Sequence, residues 1–161
     1  MKNYRRVFGF SLLEIFITIA IALILIPGAF ALMSSSVKVM STSLHDVSAA
    51  FLADEGIEAA RMLRNQGWSA NIDTKVNYTV YYPVLSGGFW TLSQVNPGLI
   101  DSLYTRTVVF SQVNRDAVSH DIVLVGGVPD PDTRKITVTV SWTERGAARS
   151  AKLEVYITNY A

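Results

Sequence analysis

The feature that most constrains the fold is an apolar run over residues 10–33, in which Glu14 is the only charged residue. A helix rises ~1.5 Å per residue, so a run of about 24 residues extends to ~36 Å, enough to cross the hydrocarbon core of a bilayer. A carboxylate in such a segment is unfavourable by roughly 2.5–3.5 kcal/mol when it lies near the centre. Ionisable residues at this depth are candidates for function, and Glu14 is therefore the first candidate in this chain.

The residues around Glu14 follow a specific order. A leader that holds three basic residues ends at Gly9, Phe10 follows it, and Glu14 comes four residues later. This order resembles the class III leader of type IV prepilins and secretion pseudopilins. The resemblance implies that a membrane aspartyl peptidase, the prepilin peptidase, cuts between Gly9 and Phe10 and that Phe10 is then methylated. It also implies that Glu14 and the new amino terminus at Phe10 act in assembly.

Two other interpretations of the same segment remain open. An ordinary secretory signal peptide would use residues 12–26 as its apolar core and would be cut after Ala31, at the small residues around Phe30. That cut would discard Glu14, for which an ordinary signal has no use. An uncleaved membrane anchor is the third interpretation. All three place the body of the protein outside the cytoplasm, because the positive charges precede the apolar segment.

Pro27 and Gly28 interrupt the apolar run. Proline removes a backbone donor and clashes with the preceding turn, so a kink or a local loosening of the helix is expected at Pro27. Related pilins also carry a proline in this region, where the helix can partly melt on assembly. The alternative is a simple bend where the helix leaves the membrane, which the three serines at residues 34–36 mark.

The residues that follow continue as an amphipathic helix. Apolar residues recur at helical spacing from Val37 through Met40, Leu44, Val47 and Phe51, and Ile57, Ala60 and Leu63 carry the pattern on. Gly67 and Trp68 end it. The segment of residues 54–68 looks like the same segment in minor pilins and pseudopilins, and Glu58 and Arg61 are spaced to pair on the helix surface.

Beyond Trp68 the apolar period changes to that of strands. Strands are predicted over residues 77–83, 89–92, 103–112, 120–125, 136–143 and 153–157, with a loop at residues 129–132. Such an antiparallel sheet has one apolar face and needs one cover, which the second half of the long helix supplies. The predicted fold class is α+β and pilin-like. Its parts are a leader (1–9), a transmembrane or filament-core helix (10–33), an amphipathic continuation (34–68) and a β-sheet domain (69–161).

Charge and composition exclude several classes of function. Removing the leader's three cations leaves 11 basic against 13 acidic side chains, a net charge of −2. The remaining basic residues form no cluster, which argues against a nucleic-acid partner. The chain has no cysteine, so thiol catalysis and thiolate metal sites are excluded, as is the C-terminal disulfide that many type IV pilins have.

Candidate catalytic and metal residues are few. His45 lies beside Leu44 on the helix and is expected to face solvent or a neighbour. Ser119, His120 and Asp121 are the types of a catalytic triad, but adjacent strand residues point to opposite faces and cannot relay a proton. Asp130 and Asp132 are weak candidates for a calcium site, as in some pseudopilin loops, and are more typical of a turn. The sequence therefore predicts neither an enzyme nor a cofactor.

The resemblance predicts a structural subunit of a type IV pilus-like filament. Its expected partners are the prepilin peptidase, other pilin subunits, an inner-membrane assembly platform and the lipid bilayer before assembly. Its expected location is the bacterial inner membrane, as a single-pass protein with its N-terminus inside, and then an extracytoplasmic filament. The alternatives are a pseudopilin of a secretion or DNA-uptake machine, a membrane-anchored domain that does not polymerise, and a tip binding module. Exposed Tyr82, Phe89 and Trp90 in the segment of residues 81–90 would favour the binding module.

Overall fold

The structure is a computed structural model in which residues 11–75 and 79–160 are described. Helix α1 is followed by a short π-helical turn and by strands that form one sheet. The bounds are α1 Leu12–Gln66, π-helix Ser69–Asp73, β1 Val80–Ser86, β2 Phe89–Ser93, β3 Thr105–Arg115, β4 Ile122–Val123, β5 Val128–Glu144 and β6 Ala147–Thr158. The predicted α+β class, a long helix packed on an antiparallel sheet, is confirmed.

The sheet has the strand order β2-β1-β3-β5-β6, and β4 pairs with the end of β3. Every pair of neighbouring strands is antiparallel. The long β5–β6 hairpin closes through Arg145 and Gly146, whose φ angles are 51° and 82°. Two successive positive φ angles are typical of the tight turn whose twist matches that of the flanking strands.

The inner face of the sheet supplies most of the core. Alternate residues of β3 and β5 are buried on this face, in keeping with the period of two along a strand. Four alternate residues of β5 are buried on this face: Ile136, Val138, Val140 and Trp142.

The second part of α1 covers this face with small residues. Ala49, Ala53, Gly56 and Ala60 are all buried against the core. A Cβ atom on Gly56 would lie only 2.7 Å from Cγ1 of Val138. The helix backbone therefore lies close to the sheet, and glycine at position 56 is what permits this approach.

The apolar stripe that the sequence predicts to cover the sheet is only partly buried against it. Ile57, Ala60 and Leu63 are buried as expected, but Leu44 and Phe51 are exposed. The 3.6-residue period identifies helical faces correctly but cannot tell which of two faces meets the sheet. In this domain the small residues pack closely against the sheet, and the bulky residues Leu44 and Phe51 lie on the opposite face of the helix.

Two strand predictions need correction. The segment around Pro129 and Asp132 is not a loop but part of β5. A register shift opposite Gln112 and Val113 accommodates it, since bulged positions tolerate proline. Of the strand predicted over residues 120–125, only Ile122–Val123 pairs. The start of the strand predicted over residues 77–83 lies partly outside the described residues, and β1 begins at Val80.

The chain divides into two compact units, Met1–Ser43 and Leu44–Ala161. The domain boundaries predicted from the sequence stay predictions. In the second unit α1 ends at Gln66, and Gly67, with a φ of 142°, takes a conformation that other residues rarely adopt. Arg64 lies in the last turn, where a cation suits the helix dipole.

Candidate functional site

The N-terminal part of α1 is an apolar surface. Every Leu, Ile, Phe and Met from Leu12 to Met33 is exposed. Over the described residues, α1 is the one helix long and apolar enough to cross a membrane, and none of its most apolar window is buried. Gly9 and Phe10, the predicted cleavage, methylation and assembly residues, lie outside the described residues. Pro27 lies inside α1, and the kink predicted there stays a prediction.

Glu14 lies in the first turn of α1 and is exposed. Its backbone N–H donates to the carbonyl of Ser11 at 3.0 Å, and its own carbonyl accepts from the Oγ1 of Thr18 at 2.7 Å. An acidic residue in a first helical turn is stabilised by the helix dipole. Over residues 11–75 and 79–160 no cation pairs with its carboxylate. Glu14 therefore offers a negative charge on an otherwise apolar helix surface.

The helix face opposite the sheet carries a second apolar feature. Leu44, Val47 and Phe51 are 58%, 53% and 71% exposed. Each residue turns a helix by 100°, so these three lie roughly opposite the buried Ala49 and Ala53. We call Leu44, Val47 and Phe51 the outward stripe. A stripe of exposed apolar side chains of this kind is a candidate interaction surface.

His45 has a partner that the sequence did not identify. Its Nδ1 lies 3.0 Å from the Oη of Tyr104, which is buried, and the two rings meet edge to face. The next residue, Asp46, pairs with Arg149 of β6 at 3.2 Å. These contacts fix the beginning of the sheet-covering part of α1. They join residues far apart in the sequence, so no local pattern could have revealed them.

Asp130 and Asp132 do not form a cation cage. The Nε of Arg115 donates to Asp130 Oδ2 at 2.6 Å, and the side chain of Asn159 donates to Asp132 at 3.1 Å. Partial burial raises the pKa of Asp130, but hydrogen bonds from Thr133 and Arg115 and the arginine charge outweigh it, so the pKa is lowered. Both carboxylates therefore have hydrogen-bonding partners within the protein. In the part of the chain described, no cluster of three metal-ligating side chains occurs.

Ser119, His120 and Asp121 lie in the loop between β3 and β4 and have structural contacts. Asp116 accepts hydrogen bonds from the backbone N–H groups of Val118 and Ser119, and these bonds lower its pKa. The Oγ of Ser119 accepts from the backbone N–H of Asp121 at 3.3 Å. None of these bonds joins the imidazole of His120 to a serine or a carboxylate.

The aromatic segment around β1 and β2 is a hairpin. Phe89 is 67% exposed, whereas Tyr82 and Trp90 are partly buried. Trp90 packs against the core and over the guanidinium of the buried Arg106, at 5.2 Å from the ring centre. Arg106 in turn pairs with Glu55 of α1 at 2.9 Å. Only one of the three aromatic side chains is therefore fully available to a partner.

The outer face of the sheet carries a network of three charges. The two carboxylate oxygens of Glu154 lie 2.7 Å from Lys135 Nζ and 2.6 Å from Lys152 Nζ. The hydrogen bonds from Lys135 and then Lys152 lower the pKa of Glu154 from 4.5 to about 2.

This network predicts an acid-dependent loss of stability. Because the folded-state pKa of Glu154 is the lower one, its contribution is fully present above pH 4.5 and is lost as the pH falls towards 2. We expect Glu154→Gln to be less stable than the wild type at pH 7 and equally stable near pH 2. Urea unfolding at a series of pH values measures this. A stability difference that stays constant over the whole range would contradict it.

Comparison of the chain with family models, with curated proteins and with solved structures finds no match. The features above therefore rest on the residues and their geometry.

Proposed function

We propose that this chain is a structural subunit of a type IV pilus-like filament, exported to the bacterial inner membrane and cut by a prepilin peptidase between Gly9 and Phe10. The membrane holds a pool of subunits, and the assembly platform moves them into a filament whose core is built from their N-terminal helices. The lipid-facing surface of residues 12–33 then becomes a subunit-facing surface. The observation that carries this proposal is the lone carboxylate of Glu14 on that exposed apolar helix.

In the filament Glu14 meets the cationic amine of Phe10 of an adjacent subunit. Opposite charges in an apolar core attract strongly, and pairing offsets the penalty of burying each of them. That penalty disfavours every register that leaves Glu14 unpaired. The outward stripe supports the same proposal, because it offers a further apolar surface to neighbouring copies on the helix face that the sheet leaves open.

A pseudopilin of a secretion or DNA-uptake machine would use the same helix and the same cut. A membrane-anchored domain that does not polymerise would have no use for a paired Glu14. A tip binding module has weaker support. Of Tyr82, Phe89 and Trp90, whose exposure would favour it, only Phe89 is exposed.

Processing is the first test of this proposal. Intact-mass analysis of the membrane-extracted protein should show the loss of residues 1–9 and the addition of one methyl group at Phe10. Gly9→Trp places a bulky side chain at the cut and should leave the leader attached, which controls for cleavage by other peptidases. A mature N-terminus at Leu32 would instead identify an ordinary secreted domain.

A further inference from the structure

Strand β6 is an open edge of the sheet. It lies at the end of the strand order, and within residues 11–75 and 79–160 no strand pairs with its other side. The backbone N–H of Asn159, just after β6, donates to the carbonyl of Asp132 at 2.8 Å. Hydrogen-bonded pairs recur every two residues along an antiparallel ladder, so the even-numbered residues of β6 direct their backbone N–H and C=O groups away from β5. This row of backbone groups can pair with a strand of another chain.

The helix that covers the sheet stops short of this edge. Leu153 of β6 lies opposite Val138 of β5, and both side chains project on the inner face. Val138 is fully buried, whereas Leu153 is 39% exposed. The inner-face residues on either side of Leu153, Ala151 and Val155, are only partly buried. An apolar strip of β6 therefore lies beside the open backbone row.

The outer face of β6 carries one charge of each sign at the same place. Lys152 and Glu154 flank Leu153 in the sequence, and their side chains are 58% and 37% exposed. An antiparallel copy of β6 centred on Leu153 would set Lys152 of each chain directly opposite Glu154 of the other. Opposite charges at such positions stabilise a strand pair, whereas like charges destabilise it. Moving the centre by one residue would set lysine against lysine or glutamate against glutamate.

We propose that two copies of this chain pair through their β6 strands, antiparallel and centred on Leu153. In this register the even-numbered residues form the hydrogen-bonded pairs, as the directions of their backbone groups require. The two Leu153 side chains form a pair without hydrogen bonds, in which side chains approach most closely. A lysine ammonium has three donors, so Lys152 can keep its own Glu154 and also bond that of the other copy. One register therefore suits the backbone, the apolar strip and the charges.

This contact is independent of polymerisation through the N-terminal helix. Asp46 pairs with Arg149, and Arg64 lies over the ring of Tyr160, so residues 44–66 of α1 run in the same direction as β6. Antiparallel pairing of two β6 strands therefore sets these helix segments of the two copies in opposite directions. Subunits of a head-to-tail filament share one direction, so the contact joins copies that are not neighbours in one filament.

Disulfide crosslinking of the full-length protein in detergent micelles tests the register, because the chain has no cysteine of its own. The two Leu153 residues of the dimer lie within disulfide range, so Leu153→Cys should give a crosslinked dimer on mild oxidation. Ala151 lies opposite Val155 of the other copy, which sets the two Ala151 residues ~13 Å apart along the strands. Ala151→Cys alone should therefore not crosslink, whereas a mixture of Ala151→Cys and Val155→Cys should.

Val125→Cys is the matched control for random collision. Val125 is 91% exposed in the loop after β4, so collisions alone would crosslink it more readily than Leu153→Cys. In the proposed dimer Leu153→Cys should crosslink at least about tenfold faster than Val125→Cys, because the contact raises the effective concentration of the two thiols. Crosslinking of Leu153→Cys that is no faster than that of Val125→Cys or Ala151→Cys would overturn the proposal.

Charge reversal in the Leu153→Cys background separates this contact from a general loss of stability. Lys152→Glu sets only carboxylates at the centre of the dimer, and Glu154→Lys sets only ammonium groups there. Each variant alone should therefore lose most of its crosslinked fraction, several-fold relative to Leu153→Cys itself. Both side chains are exposed, so both variants are expected to fold. An equal mixture of the two restores both opposite-charge pairs and should recover the crosslinked fraction. A mixture that crosslinks as poorly as the separate variants would also overturn the proposal.

Discussion

Replacing Glu14 by Leu is expected to leave the protein in the membrane, cut after Gly9, and to reduce its incorporation into filaments at least about tenfold. Removal of a charge from an apolar segment makes insertion equal or easier. In a filament the same change leaves the amine of a neighbouring Phe10 buried without its partner, which is unfavourable by about 3–5 kcal/mol. The measurement is the ratio of sheared, filament-borne protein to membrane protein in the variant and the wild type.

Thr18→Leu is the matched control for this experiment. Thr18 lies one turn after Glu14 and is also exposed. Its hydroxyl donates a hydrogen bond to the backbone carbonyl of Glu14, but Thr18 carries no charge. We expect this control to assemble like the wild type. Glu14→Gln, which keeps the shape and removes only the charge, should assemble as poorly as Glu14→Leu. If Glu14→Leu is cleaved normally and its filament ratio is unchanged, Glu14 does not guide assembly.

Replacing Gly56 by Val is expected to destabilise the sheet-bearing unit by about 3 kcal/mol. The new side chain would meet Val138 at 2.7 Å and Cδ of Arg106 at 3.2 Å. Val138 is fully buried and Arg106 nearly so, and the pairing of Arg106 with Glu55 depends on its present position. The helix must therefore move away from the sheet or the core must rearrange. Urea unfolding of the full-length protein in detergent, followed by tryptophan fluorescence, measures the loss.

Ala50→Val provides the comparison for this substitution. Ala50 lies on the same helix but is exposed, so the β-branched side chain is added on the surface and not against the sheet. Its effect should stay below about 1 kcal/mol, the size of a helix-propensity difference. Equal destabilisation by the two substitutions would mean that the close approach of Gly56 to β5 does not hold the helix on the sheet.

Several elements follow from local sequence alone. The β5–β6 hairpin is encoded by two alternating runs and by the turn at Arg145 and Gly146, since strand period and turn chemistry act over a few residues. The end of α1 follows in the same way from Gly67. Glu58 and Arg61 pair as their spacing predicts, because three residues bring side chains together on one helix face.

The candidate assembly surface, the apolar run that contains Glu14, also follows from the sequence alone. An apolar run of this length with Glu14 as its only charge does not depend on tertiary contacts, and in the structure it makes none that bury it. The leader and its predicted cut between Gly9 and Phe10 stay predictions, because they lie outside the described residues.

Tertiary structure decided which face of the helix meets the sheet. The period of Leu44, Val47 and Phe51 is as good as that of Ala49, Ala53 and Gly56, and the first set is far more apolar. The second set is buried because small side chains let the helix backbone approach the sheet, where close contacts are most numerous. That preference depends on the shape of the opposing surface at Val138, which no local pattern in α1 contains.

The same limit applies to the pairs that join distant parts of the chain. His45 contacts Tyr104, and Asp130 pairs with Arg115, only in the folded domain. Likewise, Ser111, Lys135 and Tyr156 form one row only after β3, β5 and β6 have paired in register. The sequence determines which residues can lie on a strand and on which of its two faces, because those properties repeat every two residues. It does not determine which strands become neighbours, because that choice depends on the packing of the whole domain.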